Sequence, residues 1–297
     1  MANSEFNPKS KMEMRDCFFA SDGLKLHYAE WGEPDHDETL VLVHGNRDQC
    51  RSWDFFISAL ASRMSRSCHV VAVDLRGHGD SDWSSKDRAY HHQDFVLDLA
   101  GLLRHLKKDS ITIIGHSLGA SMAVLFAGSC PSRVRKLVLI EATGPLARKD
   151  EDAPKLLAEW LEGDQDQPEG YFYPALEDAA RAIKTKFPLI PEEVCLHMAR
   201  HGTKPTEQGW MWKYDPRLRA RSLSTFSDSQ IRAFIERIDC PTLLVYGGES
   251  DFVGSPRASR MSLFKNGRIV GISGSGHHVP HEEPEELAEI VGNFLWR

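Results

Sequence analysis

Gly115-His116-Ser117-Leu118-Gly119 is the stretch that decides the fold. It follows Ser110-Ile111-Thr112-Ile113-Ile114, a short β-branched run that reads as a buried strand. It precedes residues 120–130, which read as an apolar helix. A G-x-S-x-G stretch between a strand and a helix is a nucleophile elbow. Glycines flank the serine because the turn is too tight for side chains beside the neighbouring backbone. Such a turn lifts the Ser117 hydroxyl out at the top of a sheet, with a helix N-terminus behind it to favour developing negative charge. The competing reading is a small-residue strand-to-helix turn with a buried serine.

A serine hydroxyl is a weak nucleophile at neutral pH and needs a base, and the base needs a group to orient it. The base candidates lie in Gly274-Ser275-Gly276-His277-His278-Val279-Pro280-His281, after the strand-like residues 268–272. An acid candidate ends Gly247-Gly248-Glu249-Ser250-Asp251, directly after the strand-like residues 242–246. Both stretches sit past the carboxyl ends of strands, the edge where open α/β sheets form ligand sites.

Working outward, strand-like runs recur at residues 18–19, 24–31, 39–44, 70–74, 111–114, 136–140, 242–246 and 268–272. Most are continuously apolar, as strands covered on both faces should be. Helical patterns at residues 52–64, 90–107, 117–130, 256–263 and 284–296 alternate with them, which predicts an α/β fold with a mostly parallel central sheet of about eight strands flanked by helices. Between residues 143 and 235 the strand pattern stops and prolines separate short helical stretches. Residues 1–16 are polar, mixed in charge and without an apolar signal core, and read as a flexible leader.

The chain has 36 basic and 43 acidic residues, a formal charge of −7, so it carries no electrostatic footprint for nucleic acid. No apolar run reaches the roughly 18 residues of a membrane span. Six cysteines without C-x-x-C spacing predict free thiols in a reducing compartment, hence a cytoplasmic protein. No metal is predicted: adjacent His91 and His92 point apart on a helix, and other ligand spacings are missing. No cofactor is predicted, because Gly77 and Gly79 lack the setting of a dinucleotide fingerprint.

From about residue 18 onward the chain resembles an α/β-hydrolase-fold serine hydrolase, of the capped esterase or lactonase-like branch. Beside the elbow, Val41-Leu42-Val43-His44-Gly45-Asn46 resembles that family's H-G turn after the third strand. Asp74-Leu75-Arg76-Gly77-His78-Gly79-Asp80-Ser81 resembles its D-x-R-G-x-G-x-S loop after the fourth. The segment from Gly276 to Pro284 resembles its G-H-x-x-x-x-E-x-P.

The resemblance implies a core of residues 17–143 and 236–297, with residues 144–235 as a helical cap inserted after the sixth strand. It implies Ser117 as nucleophile, His277 as base in preference to its neighbour His278, and Asp251 as the orienting acid. Glu141, in Ile140-Glu141-Ala142, is the rival acid, at a place some members of the fold use; the turn ending in Asp251 matches the commoner pattern. Backbone N–H groups of Asn46 and Leu118 are the expected oxyanion hole. Arg47, His116, Glu141, Trp160, Trp210, Trp212, Val253 and His278 are candidate substrate contacts, although the cap aromatics could equally pack the cap onto the core. Arg47 and Asp48 either touch the substrate or pair with each other. Asp74, Arg76, His78 and His44 are expected to hold loops together.

These expectations amount to a cofactor-independent serine hydrolase acting on carboxylic esters of small to medium apolar substrates, its partner a small molecule. A lactonase, a diketone-cleaving carbon–carbon hydrolase and a triad-retaining ligand receptor are the alternatives. Serine at the elbow argues against the haloalkane-dehalogenase and epoxide-hydrolase branches, which place aspartate there. Monomer and homodimer stay equally open.

Overall fold

The structure is a computed structural model, and it describes residues 13–63, 67–86, 88–162, 170–219, 222, 225–251, 255 and 258–297. Its main sheet is built from β1 (Met14–Ser21), β2 (Leu24–Trp31), β3 (Thr39–Val43), β4 (His69–Val73), β5 (Ile111–His116), β6 (Val134–Ile140), β10 (Thr242–Gly247) and β11 (Gly267–Ile272). Their order is β1-β2-β4-β3-β5-β6-β10-β11. The β1–β2 hairpin joins the sheet antiparallel, and β4 through β11 pair in parallel.

Helices α1 (Asp54–Ala61), α2 (His92–His105), α3 (Leu118–Ser129), α7 (Asp228–Ile235), α8 (Val279–Glu282) and α9 (Pro284–Trp296) accompany these strands. Every residue of β3 is buried, because successive side chains feed opposite faces of the sheet. Leu40 and Leu42 join Phe56 and Leu60 of α1 and Leu287 and Val291 of α9. Val41 and Val43 join Leu99 and Leu102 of α2, Val124 of α3 and Ile231 of α7. Helices therefore cover both faces, which is why the central strands read as unbroken apolar runs.

Three sequence expectations need adjustment. Strand β1 begins at Met14, inside the stretch read as a leader, where Arg15 pairs with Glu30 and Asp16 with His27 across the hairpin. The rest of that stretch lies outside the described residues. The pattern at residues 256–263 forms a 3-10 turn, Ala258–Leu263, within the described residues. Between β6 and β10, α4 (Ala153–Glu162), α5 (Leu176–Lys186) and α6 (Glu192–Gly202) are joined by strands that the pattern did not announce. These are β7 (Phe172–Tyr173), β8 (Thr203–Thr206) and β9 (Gly209–Trp212), paired antiparallel in the order β7-β9-β8. At two to four residues each, they are too short for a strand pattern to be read. This inserted segment has its own small core around Ile183, Ile190, Val194 and Ala199. Among the described residues no helix is long and apolar enough to cross a membrane.

Candidate active site

Strand β5 delivers Ser117 into a backbone conformation with φ 51° and ψ −106°, outside the regions an L-residue prefers. The turn is held by Ser117 N–H donating to the Ile140 carbonyl at 2.8 Å and Gly119 N–H to the His44 carbonyl at 3.1 Å. A Cβ on Gly119 would collide with the carbonyl oxygen of Val43, and one on Gly115 would lie 2.6 Å from Ala120 N. The elbow therefore has the backbone crowding its two glycines predict.

His277 Nε2 stands 3.0 Å from Ser117 Oγ, and His277 Nδ1 stands 3.0 Å from Glu141 Oε2. With Nδ1–H donating to the carboxylate, Nε2 presents its lone pair to the serine hydroxyl. Glu141 follows the last residue of β6, at φ 64°, and is fully buried. Its Oε1 accepts the Gly247 N–H at 2.8 Å, and its Oε2 also accepts the Ser250 hydroxyl. Both ring nitrogens of His277 are thus taken, by Ser117 and Glu141.

Asp251, the favoured acid, is exposed at the surface, and the correction has a plain cause. The loop after β10 is tied to the loop after β11 by Gly248 N–H to Ile272 O and Glu249 N–H to Ser275 O. In that position it presents Gly247 and Ser250 to Glu141, so it supports the carboxylate instead of supplying one. Because β6 lies between β5 and β10 in the sheet, a carboxylate at its end sits beside the elbow.

One cavity of about 350 Å³ opens at the serine, and a second of about the same volume shares Asn46 with it. One is lined by Ser117, Leu118, Asn46, Leu146, Leu218 and Phe226. The other is lined by Asn46, Arg47, Tyr173, Lys186, Trp212 and His278, and Asn46 and Arg219 belong to both. Arg47, Trp212 and His278 thus line the second cavity. Trp160 and Trp210 line neither cavity: Trp160 is 37% exposed on α4, and Trp210 sits beside the 207–208 hairpin turn. Val253 lies outside the described residues. Leu118 opens α3, so its N–H has no carbonyl one turn earlier within the helix to bond.

His116 and Glu141 are also not cavity contacts. His116 is buried, and its Nε2–H donates to the His277 carbonyl at 2.9 Å, which fixes the loop carrying the base. Burial first, then His277, His278 and His281 around it, hold its imidazole far below the usual range, so it is neutral. Burial and the neighbouring histidines likewise push His278 down to about 3. Asp48 does not pair with Arg47: it stands 3.2 Å from His281 Nε2 and accepts from Ser52 Oγ and Gln49 N–H. Burial alone would raise the Asp48 carboxyl, but His281 outweighs it and holds the group below the usual carboxylate range.

The loops behind the site are structural, as expected. His44 bridges Gly45 O and Leu75 N–H, Asp74 accepts from His27, Cys50 N–H and Asp80 N–H, and Arg76 forks onto Asp98 at 2.6 and 2.7 Å. The residues the sequence did not single out are Lys186 and Arg219. They come from separate parts of the inserted segment, and no local pattern marks their convergence.

The sequence profile described as the alpha/beta hydrolase family matches residues 40–290. An esterase of Mycobacterium tuberculosis is 28% identical over 271 residues, covering 86% of this chain and 82% of its own. A 2-(acetamidomethylene)succinate hydrolase of Mesorhizobium japonicum is 27% identical over 257 residues, covering 86% and 87%. A thioesterase domain from the curacin biosynthetic pathway superposes with a TM-score of 0.83 at 26% identity, over 94% of this chain and 99% of that one. With the eight-stranded sheet, the elbow and this match along most of its length, the chain belongs to the alpha/beta hydrolase family.

Proposed function

We propose that this protein is a serine hydrolase that cleaves carboxylic esters through an acyl-enzyme, with Ser117, His277 and Glu141 as its catalytic triad. The observation that carries the reading is the hydrogen-bonded chain Ser117–His277–Glu141 beside a cavity. His277 Nε2 takes the Ser117 proton as Oγ attacks the ester carbonyl, and the oxyanion of the tetrahedral intermediate is held by the N–H groups of Asn46 and Leu118. His277 then gives the proton to the departing alkoxide as the C–O bond breaks. Water repeats the sequence: His277 accepts its proton, hydroxide adds to the acyl carbon, and Ser117 leaves with the proton returned. Glu141 holds the imidazole with Nε2 toward the serine and stabilises its charged form. Residues 144–235 act as the cap over this site, and their share of the cavity walls supports that role. That relatives are named esterase, hydrolase and thioesterase supports acyl transfer as the reaction class.

The test is steady-state hydrolysis of p-nitrophenyl acetate, butyrate, octanoate and dodecanoate by wild type and Ser117→Ala. Sustained turnover on the shorter esters is expected, falling by about 10³-fold or more in the variant. Equal rates for the two proteins would overturn the assignment.

A further inference from the structure

Three cations from three separate segments converge on the cavity that extends from Asn46 away from the serine. Arg47 comes from the turn after β3, Lys186 from the end of α5, and Arg219 from the 3-10 turn Pro216–Arg219. Among the described residues none of them forms an ion pair with a carboxylate. The carboxylate in that cavity wall, Asp48, is occupied by His281, Ser52 and Gln49. This occurs in a chain whose formal charge is −7, so it is a local inversion of the protein's overall sign.

Like charges gathered around one cavity repel one another, and the arrangement needs a reason. The Lys186 ammonium is held below its usual range, first by burial and then by Arg47 and Arg219. A helix C-terminus would favour Lys186 where it is, but it does not account for the two arginines. Arg47 is held at φ 63°, a left-handed conformation that an arginine adopts only at a cost, on the order of 1 kcal/mol. The Arg219 guanidinium lies 4.5 Å from the centroid of the Tyr171 ring, which orients its flat face. Two guanidinium groups beside an ammonium are a receptor for an oxyanion with two or more equivalent oxygens.

We propose that this cavity binds an anionic group, a carboxylate or a phosphate, carried by the substrate away from its reacting bond and held by Arg47, Lys186 and Arg219. The proposal rests on the esterase reading for the reacting end, and it changes the expected substrate from an apolar ester to one with an anionic tail. Asn46 and Arg219, shared by both cavities, then mark the junction between the reacting carbonyl and that tail.

Calorimetric titration of the Ser117→Ala chain with glutaranilic acid, neutral N-phenylglutaramide and phenyl phosphate tests binding apart from turnover. At least one anion is expected to bind about tenfold or more tightly than the neutral amide, with affinity falling as salt is raised. The tighter of the two anions identifies carboxylate or phosphate as the recognised group. Lys186→Gln and Arg219→Gln, both at positions with solvent access, should each reduce the ratio of anionic to neutral affinity at least about threefold. Equal affinity for anions and amide, or no anion binding up to millimolar concentration, overturns the proposal. In parallel, wild-type hydrolysis of mono-p-nitrophenyl glutarate and p-nitrophenyl butyrate separates the two readings. Anion binding without hydrolysis of either ester would sink the esterase assignment alone. Butyrate hydrolysis without anion preference would sink the anion pocket alone.

Discussion

Glu141 is the fully buried carboxylate that meets His277 Nδ1. A carboxylate with no solvent exposure persists in ionised form only if its oxygens are hydrogen-bonded, and here a backbone N–H, a hydroxyl and an imidazole N–H all point at it. Replacing it with glutamine keeps the shape and removes the charge that, in the proposed triad, favours the imidazolium in the transition state. Glu141→Gln is therefore expected to lower kcat on p-nitrophenyl butyrate by roughly 10³- to 10⁴-fold with little change in KM. Asp251→Asn, at an exposed site away from His277, should stay within about twofold of wild type, since surface substitutions rarely matter. Stopped assays on the two variants decide the matter; the reverse pattern would restore Asp251 as the acid. That Glu141 and not Asp251 bonds His277 was hidden because sequence shows which strands end in carboxylates but not which end stands beside the elbow. The adjacency of β5 and β6 supplies that information.

At the scale of elements, the elbow between β5 and α3 depends on backbone closeness that a single methyl group would spoil. Gly119 is packed against the Val43 carbonyl, whereas Gly23, at φ 78° in the β1–β2 hairpin, has open space around its Cα. Gly119→Ala is expected to cost about 1–3 kcal/mol or more from overpacking and to depress kcat as Ser117 shifts. Gly23→Ala should cost only the left-handed conformation, about 1–2 kcal/mol, and leave kcat alone. Urea unfolding midpoints with parallel assays test the pair; equal activity in both variants would show that the elbow tolerates displacement. These same elements were legible in the sequence, because the four-residue apolar runs 40–43, 70–73 and 137–140 and a helix between glycines leave few alternatives. The hairpin of β8 and β9 was not, since Thr203-Lys204-Pro205-Thr206 alternates neither in polarity nor in β propensity. Its place is set by packing against the α6 end and Tyr173, which are long-range facts. The convergence of Arg47, Lys186 and Arg219 was hidden for the same reason.

Over the whole molecule, buried histidines set how stability responds to acid. His78 and His278 are pushed down to about 3, and His201 to about 4, in each case by burial first and then by neighbouring positive groups. Burial also lowers His116 and His69. An unfolded histidine titrates near pH 6.5, so as pH falls below that value the unfolded chain takes up protons that the folded one refuses. Each such group subtracts up to about 1.4 kcal/mol per pH unit, beginning near pH 6.5 and continuing toward its folded value. His27 has the opposite sign: burial would lower it, but Asp74 and Asp16 outweigh that and raise it. Its contribution is complete below pH 6.5 and is lost as pH rises through its folded value. The carboxylates of Asp48 and Asp74, both held low, add stability that disappears only below the ordinary carboxylate range, about pH 4, and so do not enter here. Five depressed histidines against one raised give a net loss between pH 7.5 and 5.5. Urea midpoints measured across that interval should fall steadily with pH. His116→Gln removes one buried histidine behind Ser117 and can still donate to the His277 carbonyl. It should make the dependence shallower by up to about 1 kcal/mol per pH unit. A wild-type midpoint that is flat or rises on acidification would mean that these imidazoles are charged in the folded protein, and the neutral cluster behind Ser117 would have to be abandoned.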